Sequence, residues 1–205
     1  MKLYDSRRAP NPRRVRWFMA EKGITDIEIV DVDLFAGHHK EPDYLARAGL
    51  AHVPALSLDD GGTITESIAI CRYLEALHPL PNMFGLDPWD IAFIEMWTRR
   101  AEMLAATPLM MAVRHGHPAL AALEKQSAEI GERNRQDAEH ALAVFDKRLA
   151  ESQWLAADRI TIADGVLFIA IDFARMVKFQ PPADLLNLNR WLGEMRARPS
   201  ASAGV

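Results

Sequence analysis

A chain of 205 residues with 49% hydrophobic and 25% charged side chains has room for one large or two small domains, and this composition excludes a disordered chain. A formal net charge of -4 offers no general attraction to nucleic acid or to an acidic membrane, and no run reaches the roughly 18 to 20 apolar residues needed to cross a bilayer. Cys71 is the only cysteine, which rules out an intrachain disulfide or a four-cysteine metal site and fits a reducing, cytoplasmic setting.

Along the chain, Met1–Tyr4 is a short strand candidate. Asn11 followed by Pro12 signals a helix start, because asparagine caps free amides and proline suits the first helical position, and Gly23 closes that helix. Val15, Phe18, Met19 and Lys22 share one face, so the helix is expected to lie on a sheet with the lysine stem at the edge. Ile27–Val32 reads as a second strand, parallel to the first through a right-handed crossover. A polar loop with His38, His39 and Lys40 leads to a short helix, Pro42–Ala48. Val53–Leu58 and Thr63–Ile64 flank the turn Asp59-Asp60-Gly61-Gly62 and predict an antiparallel hairpin. From Glu66, the residues Ser67, Ile68, Ile70, Cys71, Leu74 and Leu77 recur at helical spacing until His78-Pro79-Leu80-Pro81 stops the helix. The order is βαβ, helix, ββα.

Beyond Pro88 the pattern is entirely helical, predicting helices over Trp89–Thr107, Ala119–Ala150, Ala163–Val177 and Asp184–Arg198, with Pro108 and Pro118 as breaks and a frayed tail from Pro199. This gives residues 1–78 as an α/β domain, 79–88 as a linker and 89–205 as an all-helical domain. Thr161 and Asp164 form a capping-box pair before the apolar run from Val166 to Ile171, a signature of a buried helix start.

Four patterns in fixed order, Ala9-Pro10-Asn11-Pro12-Arg13-Arg14-Val15-Arg16, Val53-Pro54, Thr65-Glu66-Ser67-Ile68-Ala69-Ile70 and Thr161-Ile162-Ala163-Asp164, resemble the glutathione S-transferase family, in its bacterial serine-type (theta-, zeta- and nu-like) relatives. The resemblance spans nearly the whole chain and implies a thioredoxin-like N-terminal domain followed by an all-helical C-terminal domain. It also implies that Pro54 is cis and that the Val53 backbone pairs with the cysteinyl part of glutathione. A trans proline opening an edge strand is the alternative. Glu66 and Ser67 sit where a strand ends and a helix begins, so free amides, a hydroxyl and the positive helix end can hold a carboxylate while Glu66 accepts from an ammonium; a plain N-cap is the alternative. For the glycyl carboxylate the resemblance points to His39 or Lys40, against a solvated polar loop. Asp164 matches the family's folding aspartate.

Glutathione must lose a thiol proton of pKa about 8.5. The position matching the serine that assists this step is Ala9, whose side chain donates nothing. Asn11 and Ser6 are the candidate donors in its place, together with the positive helix end; Asn11 can equally be a cap and Ser6 a strand-end residue facing water. Tyr4 alternates toward the core. The arginines at 7, 8, 13, 14 and 16 oppose the helix dipole unless an anion or surface acids lie near. No histidine set has zinc spacing, so no metal is expected.

The resemblance thus implies a glutathione transferase that conjugates the thiolate to a hydrophobic electrophile, acting as a homodimer in detoxification, with glutathione as cosubstrate and neither nucleic acid nor membrane as partner. Ala9 motivates two alternatives: a noncatalytic glutathione- or hydrophobe-binding protein, or another glutathione-dependent reaction such as dehalogenation, isomerisation or peroxide reduction.

Overall fold

The computed structural model describes residues 1–203, and its first element set is a four-stranded mixed sheet. β1 (Lys2–Asp5), β2 (Glu28–Asp31), β3 (Ala55–Ser57) and β4 (Thr63–Thr65) lie in the order β2-β1-β3-β4. β1 and β2 are parallel, whereas β3 runs antiparallel to both β1 and β4. The crossover and the hairpin are those the sequence predicts. In the hairpin turn Gly61 has φ +92°, a region that favours glycine, and Asp60 accepts the Gly62 N–H at 2.9 Å.

One sheet face is covered by α1 (Pro10–Lys22) and α3 (Ser67–Leu77), and here Leu3, Val15, Phe18, Leu56, Ile70, Cys71 and Leu74 are closed off from solvent. Each large side chain among them contributes about 1.5–3 kcal/mol through burial. The other face carries α2 (Pro42–Ala48), where Val32, Tyr44, Ala48 and Ala55 pack with Tyr4 and Val53. Tyr4 meets Tyr44 edge to face at 6.1 Å, so its ring belongs to this packing.

Three sequence expectations are corrected in this region. Lys22 is not at an edge. Its side chain is fully buried, with Nζ 2.6 Å from Glu75 and donating to the carbonyls of His78 and Pro81 at 2.7 Å each. The tail is not frayed over the described residues: Pro199–Ser202 forms a 3₁₀ turn, Ser200 is buried and bonds Glu21, and the Ala201 carbonyl accepts from Arg13 at 2.9 Å. Residues 204 and 205 of that expectation lie outside the described residues. By contacts, Met1–Pro81 and the segment from Pro199 form one unit, and Asn82–Arg198 forms the other. The third is the start of α1, whose cap is Ala9 and not Asn11.

The second unit consists of α4 (Pro88–Arg100), a π-helical segment Ala101–Ala106, α5 (Thr107–Gly116), α6 (Ala128–Glu151), α7 (Ile162–Ala174) and α8 (Leu186–Arg196). Pro108 does not break the chain as expected. It falls in the first turn of α5, directly after the π segment, where the hydrogen-bond register is already changing and a missing N–H costs little. Residues 119–127 are not helical in the predicted manner, because α6 starts only at the Ser127 cap. The Gln126 amide donates to the carbonyls of Arg114 and His117, and His115 Nδ1 accepts the Ser127 N–H, so the end of α5 is satisfied by this loop. α7 is buried from Ile162 through Ile171. Among the described residues no helix is long and apolar enough to cross a membrane.

Candidate functional site

Strand polarity gathers the sequence motifs at one end of the sheet. Ala55, at the start of β3, pairs with Tyr4 near the end of β1 and with Thr65 at the end of β4. The segments Ser6–Asn11, Val53–Pro54 and Glu66–Ser67 therefore leave the sheet at the same rim. β2 is parallel to β1, with Asp31 opposite Asp5, so the connection carrying His38, His39 and Lys40 departs from that rim too.

The loop after β1 is fastened from beneath. Arg16 donates to the Asp5 carboxylate and, at 2.6 Å, to the Arg7 carbonyl; Asp5 is 3% exposed. Burial pushes the Asp5 carboxyl up and the Arg16 guanidinium down, each opposed by the attraction of the other. The Ala9 N–H donates to the Ser6 carbonyl at 2.9 Å, closing a turn that makes Ala9 the N-cap and Pro10 the first residue of α1. Asn11 is consequently not the cap expected from the sequence, but the second residue of the helix. Prolines on either side of it have no N–H, and Arg13 already donates to the Ala9 carbonyl at 3.2 Å. In the first turn this leaves the Asn11 N–H as the one backbone donor without an intrahelical acceptor, with a half-buried side-chain amide beside it. Ser6 is half-buried and gives its carbonyl to the turn.

The Val53–Pro54 bond is cis, and Val53 precedes the β3 ladder, so its main-chain polar groups are not spent in the sheet. At the start of α3, Glu66 is the N-cap with φ 68° and ψ 116°, a strained conformation for a residue with a Cβ. Its side chain makes no capping bond, and the first intrahelical bond is Ile70 N–H to the Glu66 carbonyl at 3.0 Å. The N–H groups of Ser67, Ile68 and Ala69 are thus free of intrahelical acceptors. Ser67 is 4% exposed, and its hydroxyl meets the Arg14 guanidinium at 3.4 Å. An anion is the natural ligand for this rim of donors.

His38, His39 and Lys40 form one 3₁₀ turn whose side chains point three ways, as three residues per turn requires. His38 lines a crevice of about 240 Å³ with Asp31, Tyr44 and Arg47 on the α2 side. His39 is buried, and burial, then the positive charge of Lys40 and His52, lowers its pKa. Lys40 is exposed. Burial thus disfavours a charged His39, and Lys40 is the exposed cation of this turn. Sequence reading missed Arg14 altogether as an inward residue, since nothing in a run of arginines tells which one turns under the neighbouring helix.

In the second unit Asp164 is fully buried and accepts four hydrogen bonds: Leu155 N–H and Trp191 Nε1–H on one oxygen, Thr161 N–H and Thr161 hydroxyl on the other, all at 3.0 Å. Burial pushes its carboxyl above the usual range while the donated bonds pull it down. Its partners are structural, as are those of His115 and of His117, whose Nδ1 accepts the Ala119 N–H at 3.3 Å. Among the described residues no three His, Cys, Asp or Glu side chains converge as a metal would need.

The chain matches the models of the glutathione S-transferase N-terminal domain over residues 9–77 and of the glutathione S-transferase C-terminal domain over residues 102–199. It is 36% identical to glutathione S-transferase 2 of Saccharomyces cerevisiae over 98% of this chain and 87% of that protein, and 31% identical to glutathione S-transferase 3 of Zea mays over 98% and 90%. The crystal structure of Gtt2 from Saccharomyces cerevisiae superposes with a TM-score of 0.92 at 35% identity, covering both chains fully. Sheet order, cis proline, helix start and these full-length likenesses agree: the chain belongs to the glutathione S-transferase family, with a thioredoxin-like N-terminal domain followed by an all-helical C-terminal domain.

Proposed function

We propose that this protein binds glutathione at the sheet rim of its N-terminal domain and conjugates the glutathione thiolate to a hydrophobic electrophile. The observation that carries the reading is the start of α3, where three free amides and a buried hydroxyl fit the γ-glutamyl carboxylate beside the Glu66 side chain, which fits its ammonium. The unspent Val53 backbone fits the cysteinyl part, and Lys40, rather than the buried His39, the glycyl carboxylate. The thiol then falls near the start of α1. Ala9 occupies the position of the family's serine, and the thiolate acceptor is served by Asn11, through both its N–H and its side-chain amide, with Ser6 as the second candidate. Each unit by which the thiol pKa falls needs about 1.4 kcal/mol in favour of the thiolate. We further propose that the protein is a cytoplasmic homodimer; sedimentation as a monomer at micromolar concentration would refute it.

The test is a pH titration of the glutathione complex, following thiolate absorbance in wild type and Asn11→Ala with binding measured calorimetrically in the same samples. Thiolate well below pH 8.5, diminished by Asn11→Ala, supports the transferase with asparagine as donor. An unchanged signal in the variant transfers the role to Ser6. Binding without thiolate at neutral pH favours the second reading, a noncatalytic binding protein, which Ala9 motivates: as N-cap it brings no side-chain donor.

A further inference from the structure

Ser6–Ala9 is a tight turn closed by the Ala9 N–H on the Ser6 carbonyl at 2.9 Å, with Arg7 and Arg8 at its two corners. Both arginines are exposed. The backbone beneath them is fixed, because Arg16 donates to the Arg7 carbonyl at 2.6 Å and is itself held by Asp5. Acids do not offset the charge from below: the first turn of α1 contains none, and the Asp5 carboxylate, 3% exposed, is taken up by Arg16. Arg8 makes no hydrogen bond or ion pair among the described residues. A helix start is the positive end of its dipole, so a guanidinium on the turn leading into α1 adds like charge to like. Solvent screens that repulsion, and the surplus charge draws an anion to this end of the helix.

Glutathione leaves the charge of Arg8 unused. In the reading above its two carboxylates go to the start of α3 and to Lys40, and its sulfur is a single atom at Asn11. The remaining participant is the electrophile. Its reacting carbon must come within about 3–3.5 Å of the sulfur, so it lies at the same helix start. We propose that Arg8 determines specificity for the second substrate: its guanidinium receives a carboxylate carried on the apolar body of the electrophile. This inference rests on the glutathione reading and adds a substrate class to it, an acidic electrophile in place of a neutral one.

The experiment compares two probes of the same shape on the full chain, para-chloro-meta-nitrobenzoate and para-chloro-meta-nitrobenzamide. In both, the thiolate sulfur forms a bond to the ring carbon, the carbon–chlorine bond breaks, and its electron pair leaves as chloride. Each kcat/KM is divided by the rate constant of the same probe with glutathione in buffer, which removes the difference in intrinsic reactivity. Wild type is expected to favour the benzoate by at least about threefold on this scale, the size of one partly exposed ion pair, and less in high salt. Arg8→Gln should bring the preference close to one with KM for glutathione unchanged, and Arg8→Lys, which keeps the charge, should retain most of it. An undiminished preference in Arg8→Gln would overturn the inference. A raised KM for glutathione with equal losses for both probes would also overturn it, by assigning the arginine to glutathione. Wild type without a preference for the benzoate would overturn the inference and leave the transferase reading standing; wild type turning over neither probe would overturn that reading and the inference with it.

Discussion

Replacing Asp164 by alanine removes the acceptor for four donors at once. Three of these, the Leu155 N–H, the Thr161 N–H and the Trp191 indole N–H, are fixed by backbone or ring and cannot turn to other partners; the Thr161 hydroxyl can rotate. A buried donor left unsatisfied costs about 1–3 kcal/mol, so three cost at least about 3 kcal/mol, and about 4 kcal/mol is expected if one water enters the space vacated by the carboxylate. This is a large share of a total stability of about 5–15 kcal/mol, and at roughly 2–4 °C per kcal/mol it lowers the melting temperature by about 8–16 °C. Asp164→Asn distinguishes the two halves of the arrangement. Its one oxygen can serve either the Leu155 and Trp191 side or the Thr161 side, so about half the loss, roughly 2 kcal/mol, is expected. Urea unfolding followed by tryptophan fluorescence reads both numbers, with Trp191 itself in the network. A loss below about 1 kcal/mol for the alanine variant would refute the reasoning, since it would mean that the donors are satisfied without the carboxylate.

His39 predicts a pH dependence of stability. Its pKa is lowered in the folded chain, so between that value and 6.5 the unfolded chain binds more protons, and the histidine's contribution is present above pH 6.5 and lost as the pH falls below it. Urea midpoints measured from pH 8 to pH 5 should fall less steeply for His39→Gln than for wild type, and parallel curves would contradict this. Lys22→Met removes the buried ion pair with Glu75 and both bonds to the chain at His78 and Pro81, and is expected to cost about 3–5 kcal/mol, with much of that regained in Lys22→Met/Glu75→Leu. A double variant no more stable than the single one would show that the lysine, not the pairing, is what matters.

The sheet was legible because its signals are local. Asp59-Asp60-Gly61-Gly62 specifies a tight turn whatever surrounds it, and a strand, a helix of about one dozen residues and a second strand leave little choice but a parallel crossover. The helix starts were less legible because a cap is a hydrogen bond, and the sequence offers more candidate caps than the structure uses. Asn11 before Pro12 is a good cap on paper, yet the turn closed by Ala9 N–H on the Ser6 carbonyl starts α1 two residues earlier. Ser127 wins over the earlier Ala119 start because Gln126 and His115 satisfy the end of α5 across the gap. Burial of individual cations was the least legible feature. Arg14, Arg16, Lys22 and His39 all turn inward, each set by the neighbouring helix or loop it meets, whereas Arg7, Arg8 and Lys40, of the same residue types a few positions away, stay outside.

The starts of α1 and α3 face the same rim with opposite provisions of donors. α3 presents three consecutive amides and a hydroxyl, with Arg14 at the hydroxyl. Two oxygens carrying a permanent charge need that many partners. α1 has its amides removed at two of its first three positions by Pro10 and Pro12, leaving only the N–H of Asn11. One N–H and the positive helix end are a sparser provision, suited to an acceptor smaller than a carboxylate. Two prolines flanking one asparagine therefore leave the start of α1 with a single free N–H, and it is this donor that the proposed function assigns to the thiolate.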